Sequence, residues 1–424
     1  MPANVSSFHR KGHRNMQVLH TSDWHAGRTT YNHSRATDLD DALTEIISIA
    51  RDVRPDAIVN SGDLIDHSKV SHTEIERVVD ALAELAAIAP TVVVAGNHDN
   101  FSQMRYLDRL GRVNRLYFVN KPVGISGDHL VISGRDGNTL RVGALPFVSA
   151  ERGIDVFDDP RRWAGAYRAR VADLQARITA GLTANLDPTR ELTVFAAHLH
   201  VTGAGLSGSE RARHCSDDYA CDPAAIPPVD YAAFGHIHDP QNLPGPVTGR
   251  YAGSPIPLDF GEAGQRKSVT LVTLEPGKPA RCEPIELRGG RALIRFEGSL
   301  TDLQSQVETI GDALCLATVH TATHDPALSQ RVHDLLERAT VLDVQQRVAG
   351  TRGGFLVVEP GTAVVQRPLL DSFGAYLQQI DTRTAPADAV MALMAEFLAA
   401  DHEDRDPCFA VETLLADDHV AGAA

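Results

Sequence analysis

Thr91-Val92-Val93-Val94-Ala95-Gly96-Asn97-His98-Asp99 is the stretch that decides the fold. Four apolar or β-branched residues in a row after Thr91 suit a strand buried on both faces. The run then breaks into glycine and a cluster of polar residues able to bind metal. The same grammar recurs upstream. Ala57–Asn60 runs into Ser61-Gly62-Asp63, and Gln17–His20 runs into Thr21-Ser22-Asp23-Trp24-His25. Between these strands lie two amphipathic segments with the 3.6-residue period of a helix. One carries Leu39, Leu43, Ile46, Ile47, Ala50 and Val53, the other Ile75, Val78, Val79, Leu82 and Leu85. The first hundred residues therefore read β-α-β-α-β, an α/β unit with helices covering the sheet.

Further along, Leu130–Ser133 and Leu140–Leu145 read as strands around a Gly-Arg-Asp-Gly-Asn turn, and 161–182 as a helix. Leu192–Ala197 is a buried strand ending at His198, and Tyr231–Phe234 another, ending at Gly235-His236-Ile237-His238. Arg250–Ala252 and Ser268–Leu274 complete the strands of this region. The pattern changes near Arg288-Gly289-Gly290. Strand Ala292–Phe296, helix Leu300–Ile310, strand Cys315–His320, helix Gln330–Ala339 and strand Val341–Arg347 suggest a smaller α+β domain. The expected division is a loose tail over 1–15, a main domain over 16–287, a capping domain over 288–384, and a C-terminal helix with an acidic tail over 385–424. Met16 is an alternative start. In the last segment Val390, Leu393, Met394, Phe397 and Leu398 share a face of helix Ala387–Ala400, suited to the cap core or to a partner's coiled coil.

Composition excludes several classes. The 424 residues are 43% hydrophobic and 22% charged, as in a folded globular chain. A net charge of −15 argues against a basic nucleic-acid coat protein. Any phosphate binding must come from metals and local arginine or lysine. The five cysteines, Cys215, Cys221, Cys282, Cys315 and Cys408, form no C-x-x-C pair, which fits a reducing, cytoplasmic compartment. The N-terminus has no apolar core of a secretory signal, and no apolar run approaches membrane-spanning length.

Five ligand-bearing clusters thus fall at the C-terminal ends of apolar strands: Asp23/His25, Asp63, Asn97/His98, His198 and His236/His238. In an open α/β sheet that edge gathers functional groups from strands distant in sequence. Imidazole, carboxylate and amide donors without thiolate suit a divalent ion such as Mn, Fe or Zn. Seven ligands exceed the needs of one ion and suit two, sharing a bridging carboxylate. Gly62 and Gly96 are expected to permit the abrupt turns after their strands.

Asp23-x-His25, Gly62-Asp63, Gly96-Asn97-His98-Asp99, His198 and Gly235-His236-x-His238 occur in the order of the motifs of calcineurin-like metallophosphoesterases, and the chain is similar to that family. The resemblance implies a sandwich of two β-sheets flanked by helices, with the smaller capping domain beside it. A narrower resemblance points to the SbcD nuclease subunits of bacterial SbcCD complexes. It rests on Thr21-Ser22-Asp23-Trp24-His25-x-Gly27, Gly62-Asp63-Leu64-Ile65-Asp66 and Ala197-His198-Leu199 with Val201-x-Gly203-Ala204. Tyr251-Ala252-Gly253-Ser254-Pro255, Leu258-Asp259-Phe260-Gly261-Glu262 and the stretch from Gly289 to Leu300 extend it. It covers roughly residues 16–300 well and the rest loosely.

By resemblance, Asp63 bridges two metal ions, manganese being the expected element. Asp23, His25 and His238 complete one site, and Asn97, His198 and His236 the other. His98 faces the scissile phosphate, stabilising charge or protonating the leaving oxygen, and Asp99 orients His98. The implied activity is metal-dependent exo- and endonucleolytic hydrolysis at DNA ends and hairpins in repair and recombination. The implied partners are an SbcC-like SMC-type ATPase and a second copy of the chain. Two other readings compete. One is a phosphoesterase of the same fold acting on a nucleotide, a cyclic nucleotide or a phosphoprotein. The other is a non-catalytic DNA-end-binding scaffold, against which the full ligand set and His98 argue.

Bland readings stand beside the sharp ones. His200 competes with His198 as a ligand, and the family pattern favours His198. His33, His67 and His72 read as polar loop residues, with His67 a candidate DNA contact. Cys215 and Cys221 read as buried or loop cysteines, and Trp24 as packing. Arg288, Arg291 and Arg295 divide between DNA phosphates and a solvated face.

Overall fold

In the computed structural model, the described residues are 15–100, 104, 107–109, 111–148, 160–210, 219–348, 373 and 390–396. The chain divides into units 1–351 and 352–424. In the second, residues 390–396 are helical. The expected tail before residue 15, Cys215 and Cys408, and the expected elements after 348 lie outside the described residues, apart from residues 373 and 390–396.

The first unit is built on two six-stranded sheets. Its elements are β1 (Met16–Thr21), the short pair β2 (Thr29–Thr30) and β3 (His33–Ser34), α1 (Ala36–Val53), β4 (Ala57–Asn60), α2 (His72–Ile88), β5 (Thr91–Val94) and β6 (Leu116–Val119). Then come β7 (Leu130–Ser133), β8 (Thr139–Leu145), α3 (Pro160–Thr183), β9 (Glu191–His198), β10 (Tyr231–Gly235), β11 (Gln241–Asn242), β12 (Gly249–Tyr251), β13 (Ser268–Leu274) and β14 (Arg281–Glu286). The first sheet runs β14-β13-β1-β4-β5-β6, and the second β11-β12-β10-β9-β8-β7. In each, four adjacent strands are parallel: β1, β4, β5 and β6 in one, β8, β9, β10 and β12 in the other.

Side-chain alternation makes this a four-layer sandwich. Val18, Ala57, Val59, Val92 and Val94 of the first sheet pack against Val142, Ala144, Val194, Ala196 and Ala233 of the second. The intervening Leu19, Ile58 and Val93 face the other way, into α1 and α2. Phe195, Ala197, Ala232 and Phe234 of the second sheet pack against Val171, Ile178 and Leu182 of α3. Both sheet faces are therefore buried, which is why the central strands read as continuous apolar runs. Both helical expectations before residue 100 hold. Ser71 caps α2 by accepting the Glu74 N–H at 3.3 Å.

A third sheet follows: β15 (Leu293–Gly298), α4 (Leu300–Ile310), β16 (Leu314–Thr321), α5 (Leu328–Leu335) and β17 (Thr340–Val348), its three strands parallel. Ser299 and Asp302 form a reciprocal capping box at the start of α4. Phe296, Leu303, Cys315, Val319 and Val332 make its own small core. The segment leading into it is tied to α1. Arg291 donates to Asp38 at 2.8 Å, and the fully buried Arg35 donates to the other oxygen of Asp38 at 2.7 Å. Arg295 lies over the Phe260 ring, 5.3 Å from its centroid. Two of the three basic residues weighed for DNA contact are thus engaged within the protein; Arg288 is exposed.

Candidate metal centre

The functional edge follows from strand direction. The four parallel strands of each sheet end on the same side, so the turns after β1, β4 and β5 meet those after β9 and β10. Backbone geometry there is unusual. Asp23, His25, Asp63 and His236 hold φ values of 52°, 48°, 51° and 96°, in the left-handed region that non-glycine residues seldom adopt. Such conformations cost about 1–3 kcal/mol each and persist only where the surroundings impose them. The imposing contacts are present. Asp23 N–H donates to the Gly62 carbonyl at 2.9 Å, His25 N–H to the Asp63 carbonyl at 3.0 Å, and His236 N–H to the Asp23 carboxylate at 3.1 Å.

Three overlapping groups of side chains result, the third being His25, Asp63 and His98. In the first, His25 Nε2 lies 3.2 Å from His238 Nε2, with Asp23 alongside. In the second, Asn97 Oδ1 lies 2.9 Å from both His198 Nε2 and His236 Nδ1, which are 3.3 Å apart. Asp63 Oδ2 stands between the groups, 3.6 Å from His25 Nε2 and 3.3 Å from His198 Nε2. All seven are buried but Asn97, which is partly so. Two ligand atoms about 2.1 Å from one divalent ion, at 90–110° to each other, lie about 3.0–3.5 Å apart. The observed spacings match that, and two ring nitrogens facing one another across 3.2 Å fit a shared cation. The donor set fits a divalent metal.

Two glycines make room for this packing in different ways. Gly62 has φ +113°, and a Cβ there would sit 2.3 Å from His198 Nδ1. Gly96 needs no left-handed backbone. Its requirement is close approach: a Cβ would meet Asp63 Oδ1 at 2.1 Å.

Charge is strongly coupled in the site. Burial pushes Asp23 up to about 6. Burial would raise Asp63 also, but the imidazoles of His198 and His98 more than offset it and hold that carboxyl well below its usual range. Burial disfavours a charged His198, yet Asp63 beside it lifts the imidazole to about 9. His25, buried, falls to about 4.

His98 sits at the rim, half-buried, with Nε2 3.9 Å from Asp63 Oδ2. The structure reassigns what holds it. Its Nδ1 meets the Asp66 carbonyl. Asp99, expected to orient the His98 ring, instead accepts backbone N–H groups from Asp63 at 3.0 Å, Leu64 at 2.9 Å, Ile65 at 3.4 Å and Gly96 at 2.8 Å. It braces the two turns that carry Asp63 and Asn97. Burial, then the Asp63 charge, pushes it up to about 7. His200 belongs to none of the metal-competent groups among the described residues. His33 contacts Arg291 at 3.0 Å, His72 begins α2, and His67 accepts the Lys69 N–H at 3.3 Å. Trp24 is fully buried, its indole N–H donating to Thr21 at 3.0 Å, and Cys221 is a buried free thiol.

Sequence reasoning missed the residues behind the ligands. His238 Nδ1 lies 3.1 Å from Glu262 Oε1 and 2.6 Å from Ser209 Oγ, and its backbone N–H donates to Glu210 at 3.1 Å. Glu262 is fully buried, and Lys267 donates to it at 2.5 Å. His25 Nδ1 lies 3.3 Å from Asp66 Oδ1, which Arg28 reaches at 3.3 Å. His198 Nδ1 donates to the Ser61 carbonyl at 2.8 Å, which fixes the ring with Nε2 towards the site. The available signal was Glu262 itself, the acidic end of the Leu258–Glu262 motif. Nothing local marks it as a partner of His238.

The family model described as calcineurin-like phosphoesterase matches residues 16–240. The chain is 29% identical over 329 residues to the SbcD component of the nuclease SbcCD of Bacillus subtilis (strain 168), covering 76% of this chain and 82% of that one. It is 29% identical over 310 residues to the SbcD component of the same nuclease of Escherichia coli (strain K12), covering 69% and 74%. The SbcD protein of Rhodobacter capsulatus is 30% identical over 294 residues, covering 64% and 69%. No helix among the described residues is long and apolar enough to cross a membrane.

Proposed function

The chain belongs to the calcineurin-like phosphoesterase family, and from that premise we propose that it is a metal-dependent DNA nuclease, the SbcD-like component of an SbcCD-like complex. The observation that carries this reading is the pair of ligand groups on either side of Asp63, with His98 beside them. The names of the relatives support the choice of DNA among phosphodiester substrates.

Two divalent ions, manganese for choice, would be held by Asp23, His25, Asp63 and His238 on one side and by Asp63, Asn97, His198 and His236 on the other. Bound there, such ions acidify a water and neutralise charge on a transferring phosphoryl group. The chain's own residues do the rest. Asp99 fixes the turns that aim Asp63 and Asn97. The Asp66 carbonyl takes Nδ1–H of His98, so its Nε2 points to the phosphate and, in the imidazolium form, donates a proton to the leaving oxygen. An SbcC-like ATPase partner and a homodimer belong to the same reading, as does action at DNA ends and hairpins. The domain division at residue 288 is likewise part of it: the third sheet has a core of its own, suited to a cap beside the site.

The test is Mn-dependent degradation of linear double-stranded DNA by the protein, alone and with the ATPase. Degradation lost in His98→Ala is expected. Turnover of a small phosphodiester without DNA cleavage under any divalent metal would defeat the nuclease reading in favour of the small-substrate one.

A further inference from the structure

At the edge of the sandwich away from the metal centre lies a cleft of about 720 Å3. Four arginines line it, Arg51, Arg54, Arg115 and Arg135, against one carboxylate, Asp56. The chain as a whole carries a net charge of −15, so this local excess of positive charge runs against its composition. The cleft gathers the C-terminal ends of α1 and α2 with β6 and β7, the outer strands of the two sheets. Asp56 precedes β4 and Asp63 follows it, so the four residues of β4 put about 13 Å of strand between the cleft and the metal centre. Asp56 is already satisfied: its Oδ2 accepts the Gln17 N–H at 2.9 Å and its Oδ1 accepts Arg135 Nε–H at 2.9 Å. Arg51 meets Glu84 at 2.5 Å, an exposed pair of little worth. Arg115 Nη2 donates to the Ala86 and Ala87 carbonyls at 2.9 and 3.0 Å, which leaves its Nη1 and Nε without a carboxylate among the described residues. The Arg54 side chain has no hydrogen-bond or ion-pair partner among them.

Two of these arginines sit where glycine is the usual residue. Arg54 ends α1 with φ 48° and ψ 64°, and Arg115 ends the turn Arg112–Asn114 with φ 61°. Side chains held in this left-handed region cluster at functional sites. Helix ends account for part of the charge. The C-termini of α1 and α2 each bring about half a negative charge, and Arg115, bonded to the last carbonyls of α2, is enough to offset both. With Arg51 and Arg135 paired, Arg54 is surplus to that balance. The walls beside it are apolar: Pro55, Pro90, Tyr117 and Val131, the last 59% exposed. Guanidinium forks match phosphate oxygens, and flat apolar side chains take the face of a base. We propose that this cleft is a second binding site, for a nucleoside phosphate, with Arg54 and Arg115 on the phosphate and the Tyr117 and Val131 wall on the base. The same chemistry is presented by a free nucleotide and by the end of a single strand. The site goes beyond the nuclease reading and does not depend on it.

Calorimetry on the metal-stripped full-length protein in EDTA tests this without any activity assay. The probes are dAMP, a single-stranded decamer of deoxyadenylate, inorganic phosphate and hexaglutamate. Wild type should bind a deoxyadenylate probe about tenfold or more tightly than phosphate or hexaglutamate. Binding of dAMP identifies a free nucleotide as the occupant, and binding of the decamer alone identifies a strand. Arg54→Gly should weaken that binding by about 10–100-fold. Its unfolding midpoint should equal or exceed that of wild type, because glycine suits the left-handed backbone; an arginine retained for structure would show the reverse. Val131→Asp, at an exposed position, should also weaken binding. Arg281→Ala removes an exposed charge on β14 and should bind as wild type does. A wild type that binds neither deoxyadenylate probe, or binds phosphate or hexaglutamate as tightly, would overturn the proposal. So would Arg54→Gly and Val131→Asp binding like wild type, or Arg281→Ala losing as much as Arg54→Gly. None of these results bears on the metal centre, so the nuclease reading stands or falls by its own test.

Discussion

His98 is joined to Asp63 through its backbone: the His98 N–H donates to Asp63 Oδ1 at 2.9 Å, while Asp63 Oδ2 faces His25 and His198. The carboxylate that stands between the two ligand groups is therefore steadied by a residue whose side chain is left for other work.

From that separation comes the first prediction. His98→Ala keeps the N–H and so keeps Asp63 in place. Two-ion Mn2+ binding should stay near wild type, while hydrolysis falls by about 10²–10⁴, the usual worth of a positioned acid. Calorimetry and a nuclease assay on the same preparation check this. Loss of metal together with activity would mean that the imidazole is a ligand.

Gly62→Ala should be far more damaging than its size suggests. The new Cβ would lie 2.3 Å from His198 Nδ1 at a φ of +113°. It would displace the imidazole from the Ser61 carbonyl as well as strain the turn. A loss of about 1–3 kcal/mol of stability, read by urea unfolding, should accompany loss of the ion proposed to bind at Asn97, His198 and His236.

Asp38 holds Arg35 and Arg291 at once, at 2.7 and 2.8 Å, and its side chain is 2% exposed. Removing one partner of a buried pair leaves an uncompensated charge and costs about 3–5 kcal/mol. Asp38→Ala should lower the unfolding midpoint accordingly, with Mn2+ uptake by the folded fraction unchanged. Arg291→Ala should cost less, because that side chain is 25% exposed.

His20 sets a pH window for stability. It is fully buried between Tyr231 at 2.9 Å and Ser61 at 2.7 Å, and burial, with Arg250 adding to it, depresses it from 6.5 to about 3. The unfolded chain therefore binds a proton that the folded chain refuses between these values. Its contribution is present in full above about pH 6.5 and is lost as the pH falls towards 3, at up to about 1.4 kcal/mol per pH unit. The acid loss of stability between about pH 6.5 and 5 should be shallower in His20→Gln than in wild type. Parallel slopes would assign the acid sensitivity to other groups.

Much of the fold was legible because burial writes itself into local sequence. Val92-Val93-Val94 and Phe195-Ala196-Ala197 are apolar on consecutive residues since both sheet faces are covered. The candidate ligands were legible because they follow the ends of such runs. Strand β14 was not, because Arg281–Glu286 is an edge strand with mostly exposed side chains and a proline, and so carries no apolar period. Strand β6, Leu116–Val119, was overlooked although its composition permits it.

The sequence by itself determined which residues end the central strands, and so which side chains were available as ligands. Only the tertiary structure decided how they are used: that His25 and His238, 213 positions apart, face each other at 3.2 Å, that Glu262 with Lys267 stands behind His238, and that Asp99 serves backbone N–H groups where an imidazole was expected. The physical reason is range. Strand burial is a property of neighbouring residues and leaves a periodic trace. A hydrogen bond between loops of two different sheets depends on where both sheets lie, and no spacing in the chain encodes it.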